Sequence, residues 1–281
     1  MYSLVDNFML FKKNNQAPLP ELQNLLDNHN SKAKFVGKNK STWKKTNTFM
    51  NRQMPRSNWL LDKKNTQDDD EKLYSIFRSL LNKLTDKNLD ELSDELINSD
   101  IQEREHLEKL VDFVFHKSIT ESNFATLYAI LSKKLIGLYV KCDDKKVYFR
   151  ELLIKKCQNM FVECISIDTL DELSPNFKRK SEVLGCVMYV GELYNQNLLT
   201  DKIINSCFKL IFAHIELKKI FIIDILCTFI KTVGKKFSKS SPNDTKIIFN
   251  NLSNLKDSKA IELKEKFAIM DLIDMKNKEW N

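Results

Sequence analysis

The chain contains few of the residues that make turns, with only five glycines and five prolines among 281 residues. Turn-rich β-sandwiches and barrels use many more of both, so the composition argues against them and favours helices. No apolar run approaches the ~20 residues that a membrane-spanning helix needs, and the amino terminus lacks the order of a secretion signal. We therefore expect a cytoplasmic protein without a membrane contact.

Residues that carry enzyme chemistry are scarce or wrongly spaced. The sequence has no glycine-rich phosphate loop and no nucleophile elbow, and its four histidines show no metal-binding spacing. The six cysteines occur singly within helical patterns, which predicts reduced and mostly buried thiols. His106 and His116 fall on charged helices, where we expect exposed imidazoles. The sequence predicts no enzymatic activity, no metal and no cofactor.

Positive charge is concentrated at the amino-terminal end. Residues 1–64 carry twelve Lys/Arg and four Asp/Glu, whereas the rest of the chain carries 33 and 34. Aromatic residues alternate with the basic ones between Ser31 and Lys64. This mixture is typical of contact with single-stranded nucleic acid, although a solvated linker has a similar composition. The predicted RNA-binding residues are Lys38, Lys40, Trp43, Lys44, Lys45, Arg52 and Arg56.

Helical periodicity dominates the chain after Asp70. Apolar residues recur at helical spacing in Leu73–Leu84 and Leu107–Phe115. Further helices are predicted near residues 89–98, 123–138, 147–164, 178–196, 200–213, 216–234, 243–255 and 257–275. About ten helices in five antiparallel pairs are typical of an all-α HEAT-repeat solenoid, although a globular bundle has the same periodicity. We predict an irregular basic arm at 1–69 and a HEAT-repeat domain at 70–281.

Individual residues in the helical part suggest local roles. Gly185 and Gly191 lie inside helical patterns, where close helix crossings would compensate for their low helix propensity. Gly234 is interpreted as the end of a helix. Arg150 lies in a mostly apolar helix and is expected to pair with an acidic residue. The region around Pro175 loses its apolar stripe and is expected to be a loop between two repeats.

A series of sequence blocks resembles, in order, the middle domain of eukaryotic translation initiation factor 4G. The blocks are Ile76–Asp86, Phe113–Ala125, Tyr148–Gln158, Arg179–Gly185, Met188–Thr200, Cys227–Lys236 and Phe267–Lys276. The resemblance implies a non-catalytic HEAT-repeat scaffold that binds the two lobes of a DEAD-box RNA helicase, initiation factor 4A. It implies helicase-binding residues at Trp59, Arg78, Leu81, Asn82, Lys83, Glu121, Asn123, Phe124 and Lys235, with Trp43 as a competitor of Trp59.

The amino terminus resembles only in part the family's motif for the cap-binding factor 4E. That motif is a tyrosine, four arbitrary residues, a leucine and another hydrophobic residue. Counted from Tyr2, the leucine position is Asn7, whereas a start at Leu4 gives the pair Met9-Leu10 without the tyrosine. Leu4, Phe8 and Phe11 still form an amphipathic turn. The implied contacts are Tyr2, Leu4, Phe8, Met9 and Leu10; the alternative is that this terminus packs on the chain's own solenoid.

Together these features predict a translation initiation scaffold that is monomeric outside its complex. It would bind and stimulate a factor 4A-like helicase, and also bind a factor 4E-like cap-binding protein and RNA. The alternative is a related helical-repeat adaptor or repressor in RNA processing, splicing or decay.

Overall fold

The structure is a computed structural model that describes residues 58–142, 145–166, 177–216, 221–258 and 261–280. Only the backbone is described for 58–68, 177–178 and 216. The predicted cap-binding contacts and RNA-binding residues, from Tyr2 to Arg56, lie outside the described residues. So does the side chain of Trp59. These assignments, and the boundary at 69/70, stay predictions.

Helices dominate the described part of the chain. The ten α-helices are α1 Asn58–Lys83, α2 Leu89–Ile97, α3 Arg104–Thr120, α4 Ala125–Leu135, α5 Phe149–Ile165, α6 Phe177–Asn195, α7 Asp201–Glu216, α8 Ile222–Ser240, α9 Pro242–Asp257 and α10 Leu263–Asn277. A 3₁₀ turn, Ser122–Phe124, joins α3 to α4. Two antiparallel strands, β1 Tyr139–Cys142 and β2 Lys145–Tyr148, lie between α4 and α5.

The helices are stacked in pairs along one direction. The even-numbered helices form a row in which α4 packs on α2, α6 on α4, α8 on α6 and α10 on α8. The odd-numbered helices lie against this row, with α3 on α4, α5 on α6, α7 on α8 and α9 on α10. Buried side chains from α1 through α10 form one continuous apolar core. The predicted all-α HEAT-repeat solenoid of five helix pairs is confirmed.

Two glycines allow the central helix α6 to approach its neighbours. A Cβ atom on Gly185 would lie 2.2 Å from the carbonyl oxygen of Ile119 in α3. A Cβ atom on Gly191 would lie 2.6 Å from Cγ2 of Thr232 in α8. Both glycines therefore occupy close helix crossings, as the sequence indicated.

The structure differs from the sequence-based prediction at several residues. Helix α1 begins at Asn58, so it includes residues that the sequence analysis assigned to the irregular arm. Gly234 does not end a helix, since α8 continues to Ser240. Arg150 donates to the carbonyl oxygen of Leu198 at 3.4 Å and forms no ion pair with a described acidic residue.

Helix α5 continues through Ile165, and the residues around Pro175, predicted to form a loop, lie outside the described residues. No helix in the described ranges is long and apolar enough to cross a membrane.

Candidate partner-binding surface

The end of α1 is held by a small hydrogen-bonded turn. The Oδ1 atom of Asn88 accepts from the backbone N–H of Thr85 at 2.7 Å and from its hydroxyl at 2.9 Å. The Nδ2 atom of Asn88 donates to the carbonyl oxygen of Lys83 at 2.8 Å. These bonds satisfy backbone groups that the helix end leaves free. The side chains of Asn82 and Lys83 remain exposed on this fixed turn.

The turn between α3 and α4 is held by the carboxylate of Glu121. It accepts from the Lys117 ammonium at 2.5 Å and from the Tyr128 hydroxyl at 2.8 Å. Burial by itself raises the pKa of Glu121, but these two hydrogen bonds outweigh it and bring the pKa below its ordinary value. Burial and the bond to Glu121 raise the pKa of Tyr128. The turn is therefore tied to both helices through a charged group.

Phe124 is the exposed apolar side chain of this rigid turn. It is 55% exposed, and the neighbouring Asn123 is exposed as well. A large aromatic group on a fixed backbone loses little entropy when a partner covers it, which is why such groups often dominate interface energies. We name residues Glu121, Ser122, Asn123 and Phe124 the 121–124 turn.

The end of α1 and the 121–124 turn lie at the same edge of the solenoid, the edge at which α1 and α3 both end. Tyr74 packs against His106 and Phe113, and Arg78 against Phe113, so α1 and α3 run in the same direction. Asn82 and Lys83 therefore lie at the end where α3 enters its turn. Leu81 does not belong to this surface. It is only 2% exposed, because it faces the core, and the prediction of a direct contact there is wrong.

Arg78 takes part in contacts within the chain. Its Nη2 atom donates to Oε1 of Glu71 at 2.6 Å, and its guanidinium lies 5.5 Å from the centre of the Phe113 ring. Lys109 lies within cation–π range of Tyr74 and Phe113, at 5.9 and 5.7 Å. Arg78 thus belongs to a cation–aromatic cluster on the surface between α1 and α3.

Lys235 lies at the opposite edge of the solenoid from the 121–124 turn. Helices α3 and α6 are antiparallel, since Phe115 packs on Tyr189 while Ile119 meets Gly185. The end of α6 therefore points away from the 121–124 turn. Lys236, next to Lys235, donates to the carbonyl oxygen of Tyr194 and to Oδ1 of Asn197 at that end. Lys235 itself is exposed there, so the structure does not bring it together with Phe124.

His106 is buried, contrary to the prediction of an exposed imidazole. Its Nε2 atom lies 2.9 Å from Oδ1 of Asp70, and its Nδ1 atom is buried without a hydrogen-bond partner. This contact joins α1 to the start of α3. Sequence reasoning missed it because the two residues lie in different helices. His116 is exposed, as expected.

An exposed apolar stripe on α10 was also missed. Leu263, Phe267 and Met270 recur at i, i+4 and i+7 and are all exposed. On the other side of the helix, Ile269 and Leu272 are buried. Since both faces are apolar, periodicity alone did not tell which one the core would cover.

The six cysteines are free, and four of them are buried. Burial raises the pKa of Cys207 to about 12 and that of Cys227 to about 11. Such thiols stay protonated and unreactive near neutral pH. No cluster of three or more His, Cys, Asp or Glu residues suited to a metal ion occurs within the described ranges.

Comparison with known proteins identifies relatives of this fold and sequence. A family model for the MIF4G domain matches residues 75–279. The chain is 26% identical to eukaryotic translation initiation factor 4 gamma of Dictyostelium discoideum, over 79% of the chain and 20% of that protein. It is 28% identical to eukaryotic translation initiation factor 4 gamma 1 of Mus musculus, over 87% of the chain and 16% of that protein. The match thus spans a fifth or less of the length of these curated relatives.

A solved structure has a similar fold. The crystal structure of the MIF4G domain of Trypanosoma cruzi translation initiation factor EIF4G5 superimposes with a TM-score of 0.50 at 17% sequence identity. The superposition covers 74% of this chain and 97% of that domain.

Proposed function

Since the chain belongs to the MIF4G domain family, whose domains are non-catalytic scaffolds, we propose that it binds and stimulates a DEAD-box RNA helicase of the factor 4A type. The resemblance to factor 4G implies this partner, and the relatives named translation initiation factors support it. The proposed setting is translation initiation in the cytoplasm.

The 121–124 turn is the observation that carries the proposal. This turn presents Phe124 on a backbone held by Glu121, Lys117 and Tyr128, which suits it as a pre-organised anchor for a protein partner. Asn82 and Lys83 add exposed polar groups at the same edge of the solenoid. An apolar anchor with a polar surround is a common composition for a specific protein interface.

The proposed mechanism requires no chemistry in the scaffold. By the resemblance to factor 4G, one lobe of the helicase binds near the 121–124 turn and the other binds toward the carboxy-terminal helix pairs. A rigid solenoid that holds both lobes restrains them in a half-closed geometry. Turnover then becomes faster because less conformational freedom is lost in each ATPase cycle.

Titration of factor 4A with the full chain tests the proposal, with helicase binding and RNA-dependent ATPase rate followed together. Phe124→Ala is expected to weaken binding by ~2 kcal/mol, or roughly 30-fold, the size typical of an aromatic anchor. Ile97→Ala is the matched control, since Ile97 is 38% exposed at the end of α2, before the start of α3, and lies away from both the turn and the carboxy-terminal helix pairs. A folded wild-type chain that neither binds the helicase nor changes its ATPase rate would refute the proposal and favour an adaptor in RNA processing, splicing or decay.

We further propose that the basic arm adds two functions. Its amphipathic turn at Leu4, Phe8 and Phe11 would dock on a factor 4E-like cap-binding protein. Its lysines, arginines and aromatics would contact RNA and raise the local RNA concentration near the helicase. Both proposals rest on the sequence of the arm.

A further inference from the structure

The hairpin between α4 and α5 is not required to connect two stacked helix pairs. The other connections between pairs are shorter and contain no strand: residues 98–103 join α2 to α3, residues 196–200 join α6 to α7, and Ser241 alone joins α8 to α9. The hairpin is nevertheless a built element. Tyr139 pairs with Tyr148 and Val140 with Val147, and the N–H of Phe149 donates to the carbonyl oxygen of Leu138 at its base.

One face of the hairpin is fixed to the solenoid. Val140 is buried and Val147 packs against the core, while β1 contacts α3. Because side chains alternate across a strand, the residues next to each valine along the strand point the other way. The opposite face thus carries Tyr139, Lys141, Lys146 and Tyr148, which we name the Tyr–Lys face.

The Tyr–Lys face combines two aromatic rings with two ammonium groups. The rings of Tyr139 and Tyr148 lie 5.4 Å apart, and the Lys146 ammonium lies 4.3 Å from the centre of the Tyr139 ring. Tyr139 is 40% exposed, and Lys141 and Lys146 are both exposed. The underlying valines hold this arrangement against α3, so binding a ligand does not require the hairpin to fold.

We propose that the Tyr–Lys face binds single-stranded RNA. The tyrosine rings would stack on bases, and Lys141 and Lys146 would neutralise the neighbouring phosphates, which is the combination that single-stranded nucleic acids require. A phosphate draws the Lys146 ammonium away from Tyr139 and leaves a ring face for a base. The site extends the RNA-binding part of the proposed function from the arm to the folded domain, and it does not depend on helicase binding.

Nearby charges favour a ligand that stacks over one that is only acidic. In the sequence, Lys141, Lys145 and Lys146 are partly offset by Asp143 and Asp144, which stand between the two strands. With so small a net positive charge, a site that relied on electrostatic attraction alone would bind an acidic ligand weakly. Arg150, exposed in the first turn of α5, adds positive charge beside the hairpin. Rings with modest positive charge suit bases and a single phosphate backbone better than an acidic peptide.

The test measures binding of a fluorescein-labelled oligouridine to the full chain by fluorescence anisotropy. Lys38, Lys40, Lys44, Lys45, Arg52 and Arg56 are first changed to Gln in a background variant, so that RNA contacts of the arm do not hide those of the hairpin. In that background, Tyr139→Leu with Tyr148→Leu is expected to weaken binding at least roughly tenfold. Tyr139→Phe with Tyr148→Phe keeps the rings and is expected to change affinity less than about twofold.

A second pair of variants tests the phosphate contacts without removing apolar packing. Lys141→Gln with Lys146→Gln is expected to reduce the slope of log affinity against log salt by roughly 1.4, the loss of two contacts to a single strand. Lys145→Gln is the control, since Lys145 pairs with Cys142 on the other face. Circular dichroism is used to check that every variant remains folded.

The outcomes distinguish a failure of the hairpin site from a failure of the proposed helicase stimulation. A background variant that binds no oligouridine overturns the hairpin site and leaves helicase stimulation untouched. Equal competition by polyglutamate, or equal affinity of the leucine and phenylalanine pairs, also overturns it. Loss of oligouridine binding with the leucine pair alone supports the site, even if the chain proves unable to stimulate the helicase.

Discussion

Trp280 closes the carboxy-terminal end of the solenoid by packing on a glycine. Its ring covers Gly234 of α8 and meets Phe249 edge-on, with centroids 6.1 Å apart. Its Nε1 atom donates to the Ser238 hydroxyl at 3.0 Å. Positive φ angles at Glu279 and Trp280 turn the chain back from α10 toward α8. Gly234 is thus needed for a contact far along the chain.

Gly234→Ala is expected to lower the free energy of unfolding by ~2 kcal/mol, as overpacking usually does. The new Cβ atom would lie 2.0 Å from Cη2 of Trp280, so the indole would have to leave its site. Urea unfolding followed by circular dichroism measures the change.

Gly137→Ala is the matched control for this substitution. Nothing lies within 4 Å of a Cβ atom at Gly137, and its φ is not positive, so stability is expected to change by less than ~1 kcal/mol. Equal losses of stability for both variants would show that the packing of Trp280 does not require a glycine at position 234.

Glu121 is expected to make stability depend on pH. Its pKa is lower in the folded chain than the ordinary value of 4.5, so its contribution is complete above that value and is lost as pH falls through the folded pKa. Urea unfolding of wild type and Glu121→Gln should therefore differ at about pH 7 and converge at about pH 3. A difference that stays constant over this range would contradict the assignment of Glu121 as an ionised tie between α3 and α4.

Among the elements, α6 is the centre of the described solenoid. It packs on α3, α4, α5 and α8, and its contact with α8 is the most extensive between two of the described helices. Its buried residues, among them Val187, Tyr189 and Leu193, face these neighbours on several sides. Contact on so many sides explains why glycines are needed where two of the neighbours come closest.

Gly185→Ala is expected to destabilise the fold more than Gly191→Ala. At Gly185 the obstacle is the backbone carbonyl of Ile119, which can move only if α3 moves. At Gly191 it is the side chain of Thr232, which can shift by a smaller adjustment. We expect losses of about 3 and about 1 kcal/mol in urea unfolding. The reverse order would mean that α3 yields more easily than the Thr232 side chain.

The hairpin was missed at the element scale although its sequence contains a signal. The β-branched and aromatic pairs Tyr139-Val140 and Val147-Tyr148 stand on either side of Asp143-Asp144, and such residues are enriched in strands. The resemblance to a helical family and the apolar residues after Tyr148 favoured an earlier start of α5. Burial of Val140 against α3 stabilises the strands instead.

For the whole molecule, we expect the arm and the solenoid to carry separable functions. Deletion of Met1–Lys13 is expected to abolish binding of a factor 4E-like protein, because it removes the amphipathic turn and all the candidate contacts. Helicase stimulation is expected to remain, because the 121–124 turn lies in the solenoid. Pull-down of the cap-binding protein and the ATPase assay measure the two effects on one preparation. A deletion that leaves cap-binding intact would favour an adaptor outside translation initiation.

The sequence by itself determined the fold class, the number of helix pairs and the family, because apolar periodicity and ordered blocks are local properties of the chain. It also indicated the close crossings at Gly185 and Gly191, since glycine inside a helix needs a compensating contact. It could not determine which apolar face of α10 is buried, that Leu81 faces the core, or that His106 meets Asp70. Those features depend on which helices become neighbours and at what angle. Only the tertiary structure decided them, because burial and pairing between distant residues arise when the helices pack.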